Sequence, residues 1–470
     1  MTCLRRSRFF PIGGIALWLG GFALHAQSTP ELREILDRLQ KLEDANRALT
    51  SEVHSLRQEL AAAKSSPPVT GAETPQDSQA QDSRAQDQIS VEKARIDELA
   101  QSKVESSQKL PIRVTGMALF NAYVNGRFNS GAQNAVIASL IPGDATGGGS
   151  LSQSILGLGY DSPTSVLGAR VSGSLNLDFF GGSANSLNHL VRLRTATISL
   201  DWKDTSILVG QDKPIISPRD PTSFAQVGVS PLTGAGNLWL WQPQIRVEQR
   251  FNFGNASGIR VQAGVVQTRQ LGSEADGYNS YVPPPAGSPP VEHAEPGAEG
   301  RAELWHQWGD TARIEIAPGF HYNSSSVGPY AVPSHLFSLD WLIRPTNHLE
   351  LSGFFYQGQN IAALGALPQG WLFRGYPNVR PVHSTGGWAQ LRIPVTERLA
   401  FDFYGGRQDD RNSDLSRGYI GLNAGYFANV MYRIAPNVMI SVEGGQVRTL
   451  YLNNGTRLNN HYDLALAYMF

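Results

Sequence analysis

The sequence predicts an all-β transmembrane β-barrel of about sixteen antiparallel strands, preceded by an N-terminal α-helical coiled coil. Three observations carry that reading. Apolar and polar residues alternate with period two, in stretch after stretch, from residue 110 to the C-terminus. The connections between these stretches are short and long in turn, the order that strands crossing a membrane require. Before residue 110 the pattern is different: a basic and apolar leader, a heptad segment, then a polar stretch.

Residues 1 to 26 read as a secretory signal. Arg5, Arg6 and Arg8 form a basic front, an apolar stretch follows, and His25-Ala26 offers a small residue for cleavage before Gln27. The competing reading is a membrane anchor, but the stretch falls short of the ~20 apolar residues a spanning helix needs. Cys3 is the one cysteine, so a chain cleaved after it has no disulfide framework and no thiolate metal site. No later stretch is long and apolar enough for a membrane helix, so entry into a membrane would be by strands. The 39 Lys plus Arg and 40 Asp plus Glu leave a formal net charge of -1, which excludes a broad nucleic-acid footprint.

Residues 31 to 64 read as a periplasmic coiled coil. Leu32, Ile35, Leu39, Leu42, Asn46, Leu49, Val53, Leu56 and Leu60 follow at spacings of three and four. Asn46 takes an a position, where a buried amide costs stability but fixes register. The pattern implies self-association and leaves dimer and trimer open. Residues 65 to 109 read as a linker, disordered or partly helical, because Ser, Pro, Gln, Asp and Ala cannot build a core there.

Residues 110 to 470 read as the barrel. Ile314, Ile316, Pro318, Phe320 and Tyr322 share one face, and Arg313, Glu315, Ala317, Gly319 and His321 the other. Ile245 and Val247 alternate with Gln244, Arg246 and Glu248; Phe401 and Phe403 alternate with Asp402 and Tyr404. Short turns are expected near 161–164, 202–205, 254–258, 309–311, 345–347, 394–397 and 435–437. Long loops are expected near 128–149, 181–188, 212–236, 271–300, 323–333, 360–384, 407–419 and 450–460. Trp202, Trp308, Trp341, Tyr432 and Tyr468 lie near strand ends, where a girdle would sit. A β-helix or propeller lacks support because no fixed-period repeat is present.

A barrel of this size encloses a lumen, so its polar face lines a pore. On that face the alternation places Arg170, Arg192, Arg194, Arg246, Arg250, Arg260, Arg301 and Arg313, with Glu248, Glu303 and Glu315. Later strands contribute Asp340, Glu350, Asp402, Glu443 and Asp463, with Arg392 as an exception. The expectation is a basic wall partly opposite an acidic one. Between His189 and Trp202 the parity conflicts: Arg192 and Arg194 share it with Ala196, Ile198 and Leu200. A bulge near Arg194-Thr195 would reconcile the two halves. The stretch 212–236, with Lys213, Arg219 and Asp220, is expected either to fold into the lumen and narrow it or to lie as a surface loop.

Val191-Arg192-Leu193-Arg194, Val209-Gly210-Gln211 and Gln242-Pro243-Gln244-Ile245-Arg246 resemble segments of the DcaP-like outer-membrane porins. The plan of signal, coiled coil, linker and barrel is similar too, and a terminal Phe470 resembles the usual outer-membrane ending. The resemblance implies a sixteen-stranded homotrimer in the bacterial outer membrane with its coiled coil in the periplasm. It implies passage of small anionic solutes such as dicarboxylates and lumenal roles for Arg192, Arg194, Gln244 and Arg246. At Asp212-Lys213-Pro214 the sequence departs from that pattern, at the expected constriction.

The partners expected are outer-membrane lipid, further copies of the chain and small anionic solutes, and no cofactor is called for. Ten His are scattered, with no metal-binding helix spacing and no nucleophile elbow, which argues against an enzyme. An envelope tether, with the coiled coil as the functional part and the barrel as anchor, is the alternative. Deleting residues 31 to 64 is expected to leave single-channel current intact while lowering the temperature at which oligomers dissociate on semi-native gels. Unchanged oligomer stability would remove the coiled coil's role.

Overall fold

The computed structural model describes residues 111 to 470 apart from 182–189, 269, 272–294, 310, 328–329 and 374–377. The expected signal, the coiled coil with Asn46 and the linker lie outside the described residues. In chain order the strands are β1 Ile112–Asn125, β2 Thr146–Ser150, β3 Ile155–Val166, β4 Ala169–Asp178, β5 Arg192–Asp201, β6 Thr205–Asp212 and β7 Gln242–Phe253. There follow β8 Ser257–Thr268, β9 Gln270–Leu271, β10 Pro296–Trp308, β11 Ala312–Val327, β12 Tyr330–Thr346 and β13 Leu349–Gln359. The last are β14 Trp371–Phe373, β15 Val379–Pro381, β16 His383–Pro394, β17 Leu399–Asp410, β18 Ile420–Ala435, β19 Val438–Tyr451 and β20 Gly455–Met469.

β2 and β3 are two pieces of one stave, since both pair with β1: Asn121 faces Ser150 and Ile112 faces Tyr160. β9 adds two residues in parallel to β11, and β14 and β15 form a separate ribbon. The remaining staves pair antiparallel in sequence order, and β1 returns to β20 through Met117 opposite Met469. The result is a closed barrel of 16 staves. Among the described residues the only helical pieces are two single turns, Ala362–Leu364 and Asn412–Asp414.

The two faces separate as the alternation requires. On β7, Ile245, Val247 and Phe251 point outward and are exposed, while Gln244 and Glu248 are buried on the inside. The outer face carries Phe120, Ile198, Phe337, Phe403, Val442 and Leu464. That is the apolar band a bilayer needs. Trp308, Tyr432 and Tyr468 stand at its short-turn edge, and the Trp341 ring covers Gly353 of the next stave.

Three expected connections differ. The first turn sits at Leu167-Gly168, both with positive φ (52° and 78°), after a register shift between Asp161 and Ser165. At 323–333 β11 and β12 continue pairing to Val327 opposite Tyr330. At 450–460 β19 and β20 pair to Tyr451 opposite Gly455. The polar residues there read as loop, but a hairpin raised above a membrane can be polar on both faces as long as its backbone stays paired.

The interior is not uniformly polar. Leu336, Phe354, Tyr356, Trp388, Tyr404, Phe427 and Val447, all on inward faces of β12 to β19, form a buried cluster with Ile216, Leu232, Leu238, Ile361 and Leu364 from long connections. Part of the wall is therefore a conventional hydrophobic core. Phe354→Ala is expected to cost about 3–5 kcal/mol by removing a buried ring. Phe355→Ala, one residue on and facing outward, is expected to cost much less. The thermal midpoint of the heat-modifiable band in detergent checks the pair; equal losses would reverse the facing assigned to β13.

Candidate functional site

The lumen is organised by the connection between β6 and β7. β6 is only 8 residues long and stops at Asp212, so the chain leaves the wall early. It is rich in residues that need burial: Ile215, Ile216, Val229, Leu232, Leu238 and Trp239 are all at most 7% exposed. The connection 213–241 therefore folds inward rather than lying on the surface.

Its contacts run around the barrel. Ile215 N donates to Glu299 of β10 at 2.6 Å, and Arg219 reaches Glu315 of β11 and Asp340 of β12. Thr222 N donates to Gln390 of β16 at 2.9 Å, and Ser223 Oγ donates to Glu443 of β19 at 2.6 Å. Gln153, in the gap between β2 and β3, takes the Val227 and Gly228 N–H groups at 2.7 Å each and donates to Ala225 O at 2.8 Å. The interruption of that stave is what lets the amide reach inward. Gly236 (φ +107°) presses on β16, where a Cβ would stand 2.2 Å from Gly387 O. Burial lowers the Arg219 pKa from its ordinary value, while Asp340 and Glu303 pull it back up. The guanidinium stays charged and latches the loop to the acidic wall.

The parity conflict in β5 resolves at Arg194. Asn176 faces Thr195 and Leu177 faces Leu193, so Arg194 is the extra residue of a bulge. Arg192 and Arg194 both point inward, with Leu193 and Ile198 outward. Both guanidiniums bind Asp178, at 2.6 and 3.1 Å, and lie over the Trp241 ring, 5.1 and 4.8 Å from its centre. They also donate to Gly228 O and Val227 O. Gly210 on the next stave must be glycine: at φ +144° a Cβ would come 2.0 Å from Ala196 O. Arg246 pairs with Asp212 at 3.3 Å, Lys213 pairs with Asp220, and Gln244 donates to Lys213 O at 2.8 Å. Each holds an end of the loop.

Several expected lining residues face inward but do not meet the lumen. Arg301 is fully buried, bound to Asp340 at 2.7 Å and Glu303 at 2.8 Å. Asp340 and Asp402 are equally covered, and so is Gln244. Glu443 is held by Tyr404, Ser223, Gln226 and Asn429, and Asp463 by Asn121. The expected acidic wall exists in the strands but is roofed by the loop. A buried carboxylate is kept at low cost when its oxygens are satisfied; those of Glu443 are, while Asp463 has a partner only at Oδ1.

At the short-turn end a different array appears. Arg113, Arg170, Arg250, Arg260, Arg313, Arg344, Arg392 and Arg433 share parity with the inward residues of their strands. Five of them pair with a carboxylate: Arg250 with Glu248 and Arg313 with Glu315, one step deeper on the same strand, and Arg260 with Glu303, Arg344 with Glu350 and Arg392 with Asp402 on the neighbouring stave. In every pair the guanidinium is the open member, 28 to 43% exposed, and the carboxylate the covered one, 0 to 21%. Two like pairs also face each other across staves, Arg250 opposite Arg260 and Arg313 opposite Arg344. Arg113, Arg344 and Arg433 were missed in the sequence. Period-two counting from Asp340 or Asn429 reaches the last two, but apolar Leu342 and Met431 interrupt the polar face.

No protein-family model matches the sequence, and no curated protein does. Among solved structures the chain is similar to the outer membrane channel DcaP of Acinetobacter baumannii, at 12% identity and a TM-score of 0.59, covering 76% of this chain and 97% of that one. It is also similar to an anion-selective porin from Comamonas acidovorans, at 14% identity and a TM-score of 0.52, covering 76% and 99%. The resemblance to DcaP-like porins read from the sequence holds at the level of the fold.

Arg219→Ala is expected to free the loop from Glu315 and Asp340 and to raise current noise in single-channel recordings. Traces as quiet as the unsubstituted protein's would show that the hydrogen bonds to Thr222 and Ser223 hold the loop without the ion pairs.

Proposed function

We propose that this chain is an outer-membrane porin of the DcaP-like family, a passive diffusion channel for small hydrophilic solutes with a preference for anions. The barrel's apolar outer band and closed wall support the channel reading. The observation that carries anion preference is the paired arginines Arg250–Arg260 and Arg313–Arg344, set opposite one another on adjacent staves. Like charges so placed are destabilising. Their carboxylates are the more covered members of each pair, so the surface a solute meets is the positive one. A passing anion relieves the repulsion, and adjacent staves are about 4.8 Å apart, a spacing two carboxylates of one dicarboxylate can bridge.

Transport then needs no covalent chemistry. The inward loop narrows the lumen against the β12–β19 wall. Ser172, Ser174, Asn176, Thr195 and Thr197 line the β4–β5 side, where they are half-buried or exposed. Solutes would move along that hydroxyl and amide surface and cross the arginine array at the short-turn mouth, the periplasmic side.

Self-association as a trimer fits the outer surface. β4, β5 and β6 are the shortest full staves and carry Val171, Leu175, Ile198, Leu200 and Val209 outward, without aromatics. β12 to β18 carry Phe337, Trp341, Phe355, Phe403 and Tyr426. Aromatics suit a lipid contact, and a smooth aliphatic face suits another barrel.

In planar bilayers under a salt gradient, the purified protein is expected to open in steps, to reverse on the anion side and to close in threes. Arg260→Ala with Arg344→Ala is expected to cut the anion preference; an unchanged reversal potential would refute the role of the array. A folded but silent barrel would turn the function toward an envelope tether.

A further inference from the structure

We propose that the outer wall of the barrel holds a binding site for an anionic amphiphile, a phosphorylated glycolipid of the outer leaflet. The proposal rests on the membrane-spanning reading above, not on solute selectivity. A recess of about 650 Å³ opens at the long-loop end of β12, β13, β16 and β17, lined by His335, Gln357, Thr385, Arg407, Asp409 and Arg411 among others. These side chains face outward: His335 precedes buried Leu336, Gln357 follows buried Tyr356, and Arg407 precedes buried Gln408. They are therefore outside the lumen and separate from the channel lining.

Their height on the wall is fixed by register. Phe337, Gln357, Thr385 and Asp409 lie opposite one another in one row across the four staves. The row below is Leu339, Phe355, Gly387 and Arg407, and the next is Trp341, Gly353, Ala389 and Gly405. Below that lie Ile343, Leu351, Leu391 and Phe403, which belong to the apolar band. Charges on the lipid face are tolerated near the interface and not at mid-bilayer, so the recess sits at headgroup level. Gly387, Ala389 and Gly405 leave the wall low beneath it, with Phe355 and Tyr426 on the neighbouring staves as sides. A headgroup pocket directly above a shallow apolar trough is the shape of an amphiphile lying along the wall.

Charge selects the headgroup. Two guanidiniums line the recess against one carboxylate, Asp409, which Arg407 holds at 3.0 Å. His383 at its edge is engaged by Asp414 at 2.8 Å. Arginine forks match phosphate oxygens, and Gln357 and Thr385 offer hydrogen bonds to sugar hydroxyls.

The test is native mass spectrometry of the detergent-solubilised full chain titrated with diphosphoryl lipid A. Wild type is expected to retain lipid, and Arg407→Ala with Arg411→Ala to lose about fivefold in occupancy, the order expected when two solvent-exposed ion pairs are lost. The corresponding double lysine variant should keep most of the binding, which separates lost charge from lost fold. Bilayer current should be unchanged in both, so this site can fail while the channel reading stands. Equal occupancy in the alanine variant would overturn the proposal. So would displacement of the lipid by inorganic phosphate alone, which would make the recess a free-anion site. Dissociation of oligomers in the alanine variant would overturn it too, by making the patch an interface between copies.

Discussion

A backbone inside a bilayer has no water to satisfy it, so every N–H and C=O on the wall must find a partner in the wall. Closure is the device that meets this demand, and the seam between β1 and β20 completes it. Gly116 and Phe470 exchange both backbone hydrogen bonds there, at 2.9 and 3.1 Å. Once the wall is closed, each strand has a fixed inside and outside. The bulge at Arg194, the two-piece stave and the long polar hairpins are local adjustments that keep the pairing intact while aiming particular side chains.

The inside is then settled by a loop. The 213–241 connection carries enough apolar surface to need a core, and β12 to β19 offer Phe354, Trp388, Tyr404 and Phe427 to it. Its polar ends bind Asp178, Glu299, Asp340 and Glu443 directly or through arginine. Arg219 carries a positive charge from the loop to Glu303, Glu315 and Asp340, while the guanidiniums toward the short turns stay open to water.

The barrel was legible because alternation and the order of connections are properties of the chain alone. The facing of Arg246, Arg250, Arg260 and Arg313 followed from the same pattern. The apolar inner wall was not legible. Phe354 and Phe355, or Phe403 and Tyr404, are apolar on both parities, and period two cannot tell lumen from lipid when neither face is polar. Nor could alternation say that Arg301 and Asp340 end up covered, since that depends on a loop some 80 to 120 residues away in sequence. The hairpins at Val327 and Tyr451 were hidden for the opposite reason: their polarity imitates a loop.

The pairing of open arginines with covered carboxylates has a bearing on range. A net charge sends its field far into solution, whereas a layer of oriented dipoles has a field that dies away within a few ångströms of the surface. With a chain whose formal charge is -1, such a mouth does not gather anions from the surrounding compartment or drive cations off at a distance. On the proposed channel reading it sorts solutes only once they touch the wall. Selectivity of that kind is a contact property, and added electrolyte weakens it less than it weakens long-range attraction.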